Sequence, residues 1–245
     1  MKLISRFILA YLFFSQINLY AQQTIIVNPI ITFVDGKVRI QRPGSEGWIK
    51  VAAKDVLGVG ESLKTWEKSQ AVLNLAQNQV LRISSLSSVK LDSISPDIVT
   101  GVLGNFWLNL KISDVKPMTK MRVSTSEWTL NVALDSALLK SIYRMTVGRD
   151  GSTEIKVYDG LIKVDFTPML ITSNLSEPAI KKDTSKTEEK PRAITESWSI
   201  SLGKMQRAIV SSTGAVVENG TFDPNDSDEK SDWVTWNKDR DTVIK

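Results

Sequence analysis

The chain reads as an all-β protein. Its hairpins stack on one another, and one short helix closes the C-terminus. Three features predict this. Between residues 24 and 166, Val, Ile, Leu and Thr alternate with polar residues in short runs, the period of half-buried strands. Turn-forming pairs interrupt those runs at Asp35-Gly36, Gln77-Asn78, Asp150-Gly151 and Asp159-Gly160. Asp-Gly tolerates positive φ at low steric cost and suits tight hairpins. At the end, "SDWVTWNKDRDTVIK" (231–245) puts Trp233, Trp236 and Val243 on one helical face, with Ser231 or Asp232 as its cap.

The first segment, "MKLISRFILAYLFFSQINLYAQQ", has the pattern of a secretory signal. Lys2 and Arg6 precede an apolar run from Phe7 to Phe14, and Ala21 supplies the small residue before cleavage. The run is short for a membrane span. Residues 1–21 are therefore expected to be removed, with no transmembrane helix after them. The formal charge then falls from +4 to about +2, since two cations and no acid leave with the signal. So small an excess gives no footing for nucleic acid.

Residues 24–166 form the expected β domain. Val38 and Ile40 alternate with Lys37, Arg39 and Gln41. Val72, Leu73 and Leu75 lead through Gln77-Asn78 to Val80, Leu81 and Ile83. Met145 and Val147 precede Asp150-Gly151, and Ile155 and Val157 follow it; Ile162 and Val164 follow Asp159-Gly160. Three units look alike: "FVDGKVRI" (33–40), "LAQNQVLRI" (75–83) and "VYDGLIKV" (157–164). Each reads as strand, turn, strand, but their uneven spacing does not make a fixed repeat. The long apolar run 98–112, broken by Gly101 and Gly104, reads as two buried strands. In "NVALDSALLKSIYRMTV" (131–147) a short helix competes with strands. Residues 167–196 are the expected linker; its run 181–192 has no apolar residue and nothing to bury. Residues 197–222 read as an additional hairpin turning at Ser212 to Gly214. Residues 223–245 read as an acidic loop and the C-terminal helix.

The chain has no Cys and no His. An exported chain without Cys rests on its core alone, and a hydrophobic content of 42% is enough to build one. Thiol nucleophiles, imidazole bases, Ser-His-Asp triads and zinc sites are excluded. Carboxylate, lysine, serine and tyrosine chemistry remains. Asp223, Asn225 and Ser227 alternate as in a calcium loop, but the sixth and twelfth positions hold Asp228 and Val234 where Gly and Glu are needed. The segment reads as a solvated acidic loop. Asp150, Glu154 and Asp159 lie close in sequence, as a glycosidase pair could. Asp before Gly at a turn is normally exposed, whereas acid catalysis requires a buried carboxyl, so these read as turn formers. No catalytic, metal or cofactor residue is assigned. Trp48, Trp66, Trp107, Trp128, Trp198, Trp233 and Trp236 are many for this length. They read first as core filling and second as platforms for sugar rings. No phosphate-binding Gly-rich loop and no basic run interleaved with aromatics occurs in the linear sequence.

The order of these motifs resembles the FecR domain. That family shows a Trp, a Gly-Asp pair, a Gly before an acidic residue, a Thr, an A-x-L-x-L strand and a turn. In residues 47–91 these fall on Trp48, Lys54-Asp55, Gly60-Glu61, Thr65, Ala71, Leu73 and Leu75. Gly104 and Trp107 follow, and Gly151 to Val164 is similar to the family's closing strand pair. The resemblance covers about residues 30–166. The ending "DWVTWNKDRD" (232–241) is similar to the Trp-rich helix of several exported members. The chain departs from the pattern at Gln77-Asn78, where Asp-Gly is common. It departs again at "STSEW" (124–128) and "LKSIY" (139–143), where Thr-Pro and Arg-Gly-Thr stretches are common.

The best-known members of that family span the inner membrane and pass iron-siderophore signals to a sigma factor. For this chain the resemblance implies only the exported β domain, all-β with its hairpins in a twisted, solenoid-like or sandwich arrangement. The expectation is a non-enzymatic protein of the bacterial periplasm or envelope that binds an envelope protein through sheet edges or hairpin loops, as a signalling or scaffold module. The alternative is a module that binds cell-wall glycan, either peptidoglycan or surface polysaccharide.

Overall fold

The computed structural model describes residues 28–76, 78–94, 97–111, 120–135, 139–169 and 196–243. The expected signal peptide, and nearly all of the expected linker 167–196, lie outside the described residues. The strands are β1 (Ile30–Asp35), β2 (Val38–Gln41), β3 (Trp48–Lys50), β4 (Ser62–Thr65), β5 (Gln70–Ala76), β6 (Gln79–Ile83), β7 (Ser88–Ile94) and β8 (Asp97–Lys111). There follow β9 (Lys120–Ser124), β10 (Trp128–Leu134), β11 (Lys140–Val147), β12 (Thr153–Pro168), β13 (Trp198–Gly203), β14 (Gln206–Val210) and β15 (Val216–Thr221). A 3-10 turn at Asp228–Lys230 leads into the helix α1 (Asp232–Val243). The protein is all-β with one short C-terminal helix.

The strands make two sheets. The back sheet runs β1-β5-β6-β8-β11-β12-β14-β15. The front sheet runs β3-β2-β4-β7-β8-β9-β10-β12-β13. Every pairing is antiparallel except β8 with β9. Alternation puts one apolar row of each strand inside. Leu81, Leu108, Tyr143 and Val157 lie opposite one another across the back sheet. Leu91, Val99, Met121, Val132 and Val164 do so across the front sheet. All belong to one buried cluster. Each such side chain contributes roughly 1.5–3 kcal/mol by leaving water, so this shared layer holds the sheets together.

Two strands belong to both sheets. β8 pairs with β7 at its start and with β6 and β11 at its end, and it bends at Gly104 (φ +111). β12 pairs with β11 first and with β10 and β13 later, and it bends at Gly160 (φ +83). A Cβ at Gly104 would overlap the Ser87 hydroxyl, and one at Gly160 would overlap the Lys140 carbonyl oxygen. Only glycine combines that φ with that closeness.

These bends correct several expectations. Asp159-Gly160 is a corner inside one strand, not a hairpin. "FVDGKVRI" is also a corner, because β1 pairs with β5 in the back sheet while β2 pairs with β4 in the front. Only "LAQNQVLRI" of the three look-alikes is a true hairpin, β5 with β6. Its Gln77 lies outside the described residues. Residues 98–112 contribute one bent strand, not two. The 131–147 stretch holds β10 and the start of β11, not a helix, with 136–138 outside the described residues. Asp150-Gly151 does turn a hairpin, β11 into β12. Residues 197–222 hold three strands rather than one hairpin. β13 and β14 both pair with β12, in different sheets, and β14 turns into β15 at Ser212 to Gly214.

The helix forms where expected, but it buries a different face. Val234, Asn237 and Asp241 point at the back sheet, while Trp233 and Trp236 are half-buried at its flank. The described residues do not extend to the Val243 side chain. The Ser231 carbonyl accepts the Thr235 N–H, and the Ser231 hydroxyl donates to the Asp228 carbonyl.

Candidate functional site: a cationic face flanked by tryptophans

The outer face of each sheet carries a row of cations, and the two rows are treated differently. On the back sheet, Arg82, Trp107, Arg144, Lys156 and Arg207 are opposite one another across β6, β8, β11, β12 and β14. Like charges directly opposite destabilise a sheet. The C-terminal segment removes that cost by laying carboxylates along the row. Asp241 is 2.7 Å from Arg82 and also accepts from Trp107 Nε1 (2.7 Å) and Asn109 Nδ2 (2.8 Å). Glu229 is buried, 3.3 Å from both Arg144 and Lys156 and 3.2 Å from Lys238. It accepts from the Tyr158 hydroxyl at 3.1 Å. Asp228 is bonded to Arg144 and lies 3.0 Å from Lys156. Glu218 is bonded to Arg207. The expected solvated loop 223–232 is therefore in part a clip. Asp223 and Asn225 do stay exposed, bonded to each other in a local turn.

The charges tune one another. Burial alone pulls the Arg144 guanidinium down, yet the Asp228 and Glu229 carboxylates beside it hold it above its usual value. Burial pushes the Asp228 carboxyl up, but Arg144 and Lys156 outweigh it and hold it below the usual range. Burial drives the Tyr158 hydroxyl far upward, so it stays protonated and donates.

The front sheet shows the opposite state at its β3-β2-β4 end. Lys50, Arg39 and Lys64 are directly opposite one another across β3, β2 and β4. Lys37 lies beside them at the start of the same face. Among the described residues no carboxylate comes within 4.0 Å of any of these four, the distance that defines an ion pair. The adjacent row shows what compensation looks like: Asp92 lies 3.6 Å from Lys90 and 3.7 Å from Arg122. Lys37 and Lys50 are exposed, and Arg39 and Lys64 are half-buried.

Two tryptophans fix this array. Trp48 and Trp66 meet edge to face at 5.9 Å. Lys37 Nζ lies 4.6 Å, Lys64 Nζ 5.3 Å and the Arg39 guanidinium 5.9 Å from the Trp66 ring centre. Such contacts return about 0.5–1 kcal/mol each at exposed sites, which offsets the repulsion and keeps the cations together. A hollow of about 280 Å³ lies against Lys37, Arg39 and Lys50. A lysine on an edge strand such as β3 can simply discourage strand pairing. That account fits Lys50 but not Arg39 or Lys64, which sit on strands paired on both sides. Sequence reading passed over this face because it has no linear motif. Its trace is alternation: "KVR" (37–39), "WIK" (48–50) and "KTW" (64–66) each place basic or Trp residues two apart, on one face of a strand.

The other candidates disperse. Asp150 is exposed at its turn, where the Ser152 hydroxyl, then its N–H, holds the carboxyl below its usual range. Glu154 lies 3.6 Å from Lys156 and 3.9 Å from Arg207. Asp159 faces Lys140 at 3.7 Å. The three are held by separate partners rather than gathered around one cleft. Trp107 and Trp128 are buried in packing, and Trp198 stacks on Phe166 at 5.2 Å. Trp233 and Trp236 stack at 5.5 Å beside a cavity of about 410 Å³ lined also by Asp35, Gln70, Ser84 and Asp232. There Trp236 is already engaged by Phe33 and by Arg240, 4.3 Å from its ring centre. Thr65 is buried, with its hydroxyl donating to the Ser84 carbonyl (2.6 Å) and accepting the Ser87 N–H (3.0 Å), a structural tie.

No family model and no curated protein matches the chain. Among solved structures it is similar to a protein provisionally assigned as an anti-sigma factor from Parabacteroides distasonis ATCC 8503, at 11% identity and a TM-score of 0.41. The match covers 66% of this chain and 60% of that one, so it spans less than two thirds of the neighbour.

Proposed function

We propose that this protein is an exported, non-enzymatic binding module of the bacterial cell envelope, FecR-like in its motifs. Its working surface is the Lys37–Arg39–Lys50–Lys64 face, and its partner is an anionic envelope protein in a signalling or scaffolding assembly. One observation carries the reading: among the described residues, Lys50, Arg39 and Lys64 of the front sheet stand opposite one another without a carboxylate in ion-pair range, while Arg82, Arg144, Lys156 and Arg207 of the back-sheet row are each paired with one. A protein partner is favoured because the molecule already covers its other cation row with an acidic protein segment. Export rests on the residue pattern of 1–21. Two places where the chain departs from the FecR pattern support the resemblance. Lys54 and Asn78, which stand for the glycines of the family, both hold positive φ, at 82° and 65°.

Trp48 supports a second reading. It is half-buried beside cations, as a platform for an acidic cell-wall glycan would be. Capture from an envelope extract, with the double variant Arg39→Glu/Lys64→Glu as control, tests the first reading. The expected result is a partner retained by the parent protein and lost from the variant and in high salt. Co-sedimentation with purified sacculi, equal for both proteins, would instead favour glycan binding elsewhere on the surface.

A further inference from the structure

We infer that the front-sheet row is shaped for an acidic α-helix lying across the strands; this deepens the proposed function and rests on it. Neighbouring strands are roughly 4.8 Å apart, so Lys50, Arg39 and Lys64 present charges at about that interval along a line perpendicular to the strands. A helix brings one side chain per turn to a given line, about 5.4 Å apart. Across three positions the mismatch is about 1 Å, which flexible lysine and arginine stems absorb. An extended chain repeats a face only every ~6.8 Å, and its mismatch over the same span is about 4 Å.

The back sheet contains this arrangement in one molecule. Its acidic segment runs along the cation row, from Glu229 between Arg144 of β11 and Lys156 of β12 to Asp241 on Arg82 of β6. The 3-10 turn Asp228–Lys230 supplies the first of these carboxylates, and the helix α1 carries the chain across the strands to the second, with Val234 buried beside Trp107 as its apolar contact. The front row offers the same elements: a line of cations, with tryptophans Trp48 and Trp66 beside it. Among the described residues no acidic helix lies on it.

Two synthetic helical peptides of identical composition separate the ideas. One carries three glutamates at i, i+4 and i+7 on a single face, and the other carries them around the helix. Binding to the unmodified protein is read by calorimetry at low salt, with polygalacturonate as a non-peptide polyanion. The same-face peptide is expected to bind about tenfold more tightly than its isomer, and to lose about tenfold on Arg39→Gln. Equal binding of the isomers overturns the helix inference and leaves the anionic-partner reading standing. Tighter binding of polygalacturonate than of either peptide overturns it in favour of a glycan. No binding of any of the three overturns both.

Discussion

Lys50→Glu reverses one charge at the end of the front-sheet row, and the structure predicts that it stabilises the fold. Lys50 is exposed on β3 and faces Arg39 on β2, with no carboxylate partner among the described residues. Cross-strand charge pairs are worth roughly 0.2–1 kcal/mol, with the sign set by the charges. Reversal removes one repulsive pair and creates one attractive pair, a gain of about 0.5–2 kcal/mol. Glu and Lys have similarly low strand preference, so backbone propensity does not offset this. Urea unfolding followed by tryptophan fluorescence reads the change. With a slope of about 2 kcal/mol per molar, the midpoint rises by about 0.25–1 M at low salt. At 1 M salt the screening length is about 3 Å, and most of the gain disappears. A variant less stable than the parent at low salt, or a gain indifferent to salt, would refute the claim that this row is strained by its own charge.

Other outcomes follow from the clip and the corners. Asp241→Ala strips the carboxylate from buried Arg82, Trp107 Nε1 and Asn109. Leaving a buried charge unpaired costs about 3–5 kcal/mol, so α1 is expected to undock; hydrogen exchange should show its amides unprotected while β6, β8 and β11 stay protected. Acid should loosen the same segment. The Asp228 carboxyl is held below its usual range, so its stabilisation is full above an ordinary aspartate pKa of about 4. It fades as pH falls from there through the folded-state value, readable as a change in tryptophan emission before global unfolding. Gly160→Val forces a β-branched residue to φ +83 and into the Lys140 carbonyl, and should cost about 3 kcal/mol or more in a thermal melt. Gly151→Val takes a similar φ of +84 but meets side chains, Thr125 at 2.8 Å and the Trp128 ring at 3.5 Å, rather than backbone, and should cost less. Asp150→Asn should change little, because an amide oxygen can still accept from Ser152.

The sequence made the strands legible through alternation, and the helix through its tryptophans and cap. It could not separate hairpins from corners. "FVDGKVRI", "LAQNQVLRI" and "VYDGLIKV" share a pattern because the local backbone requirement is the same: a residue at positive φ between extended runs. Gly36, Asn78 and Gly160 all satisfy it. Whether the chain then pairs with itself or passes to the other sheet depends on partners far away, such as β5 for β1 and β10 for the end of β12. The clip was misread for a related reason. Asp228 and Glu229 look solvated in a run of acids, and only the pairing of β11 with β12 brings Arg144 and Lys156 beneath them. The cationic face was hidden because each strand contributes just two of its residues. Register, not local order, assembles Lys50, Arg39 and Lys64 into a line.

The most direct test of the central claim is the affinity of an acidic same-face helix for the parent protein and for Arg39→Glu/Lys64→Glu, titrated across ionic strength. The account predicts measurable binding to the parent that weakens steeply with salt, and none to the variant. That variant keeps a like-charge pair across β2 and β4 and gives up the contacts of Arg39 and Lys64 with Trp66, so its urea midpoint is expected to fall modestly, and binding is compared where both proteins are folded. Binding that survives both reversals, or that ignores salt, would contradict the assignment of this face as the working surface.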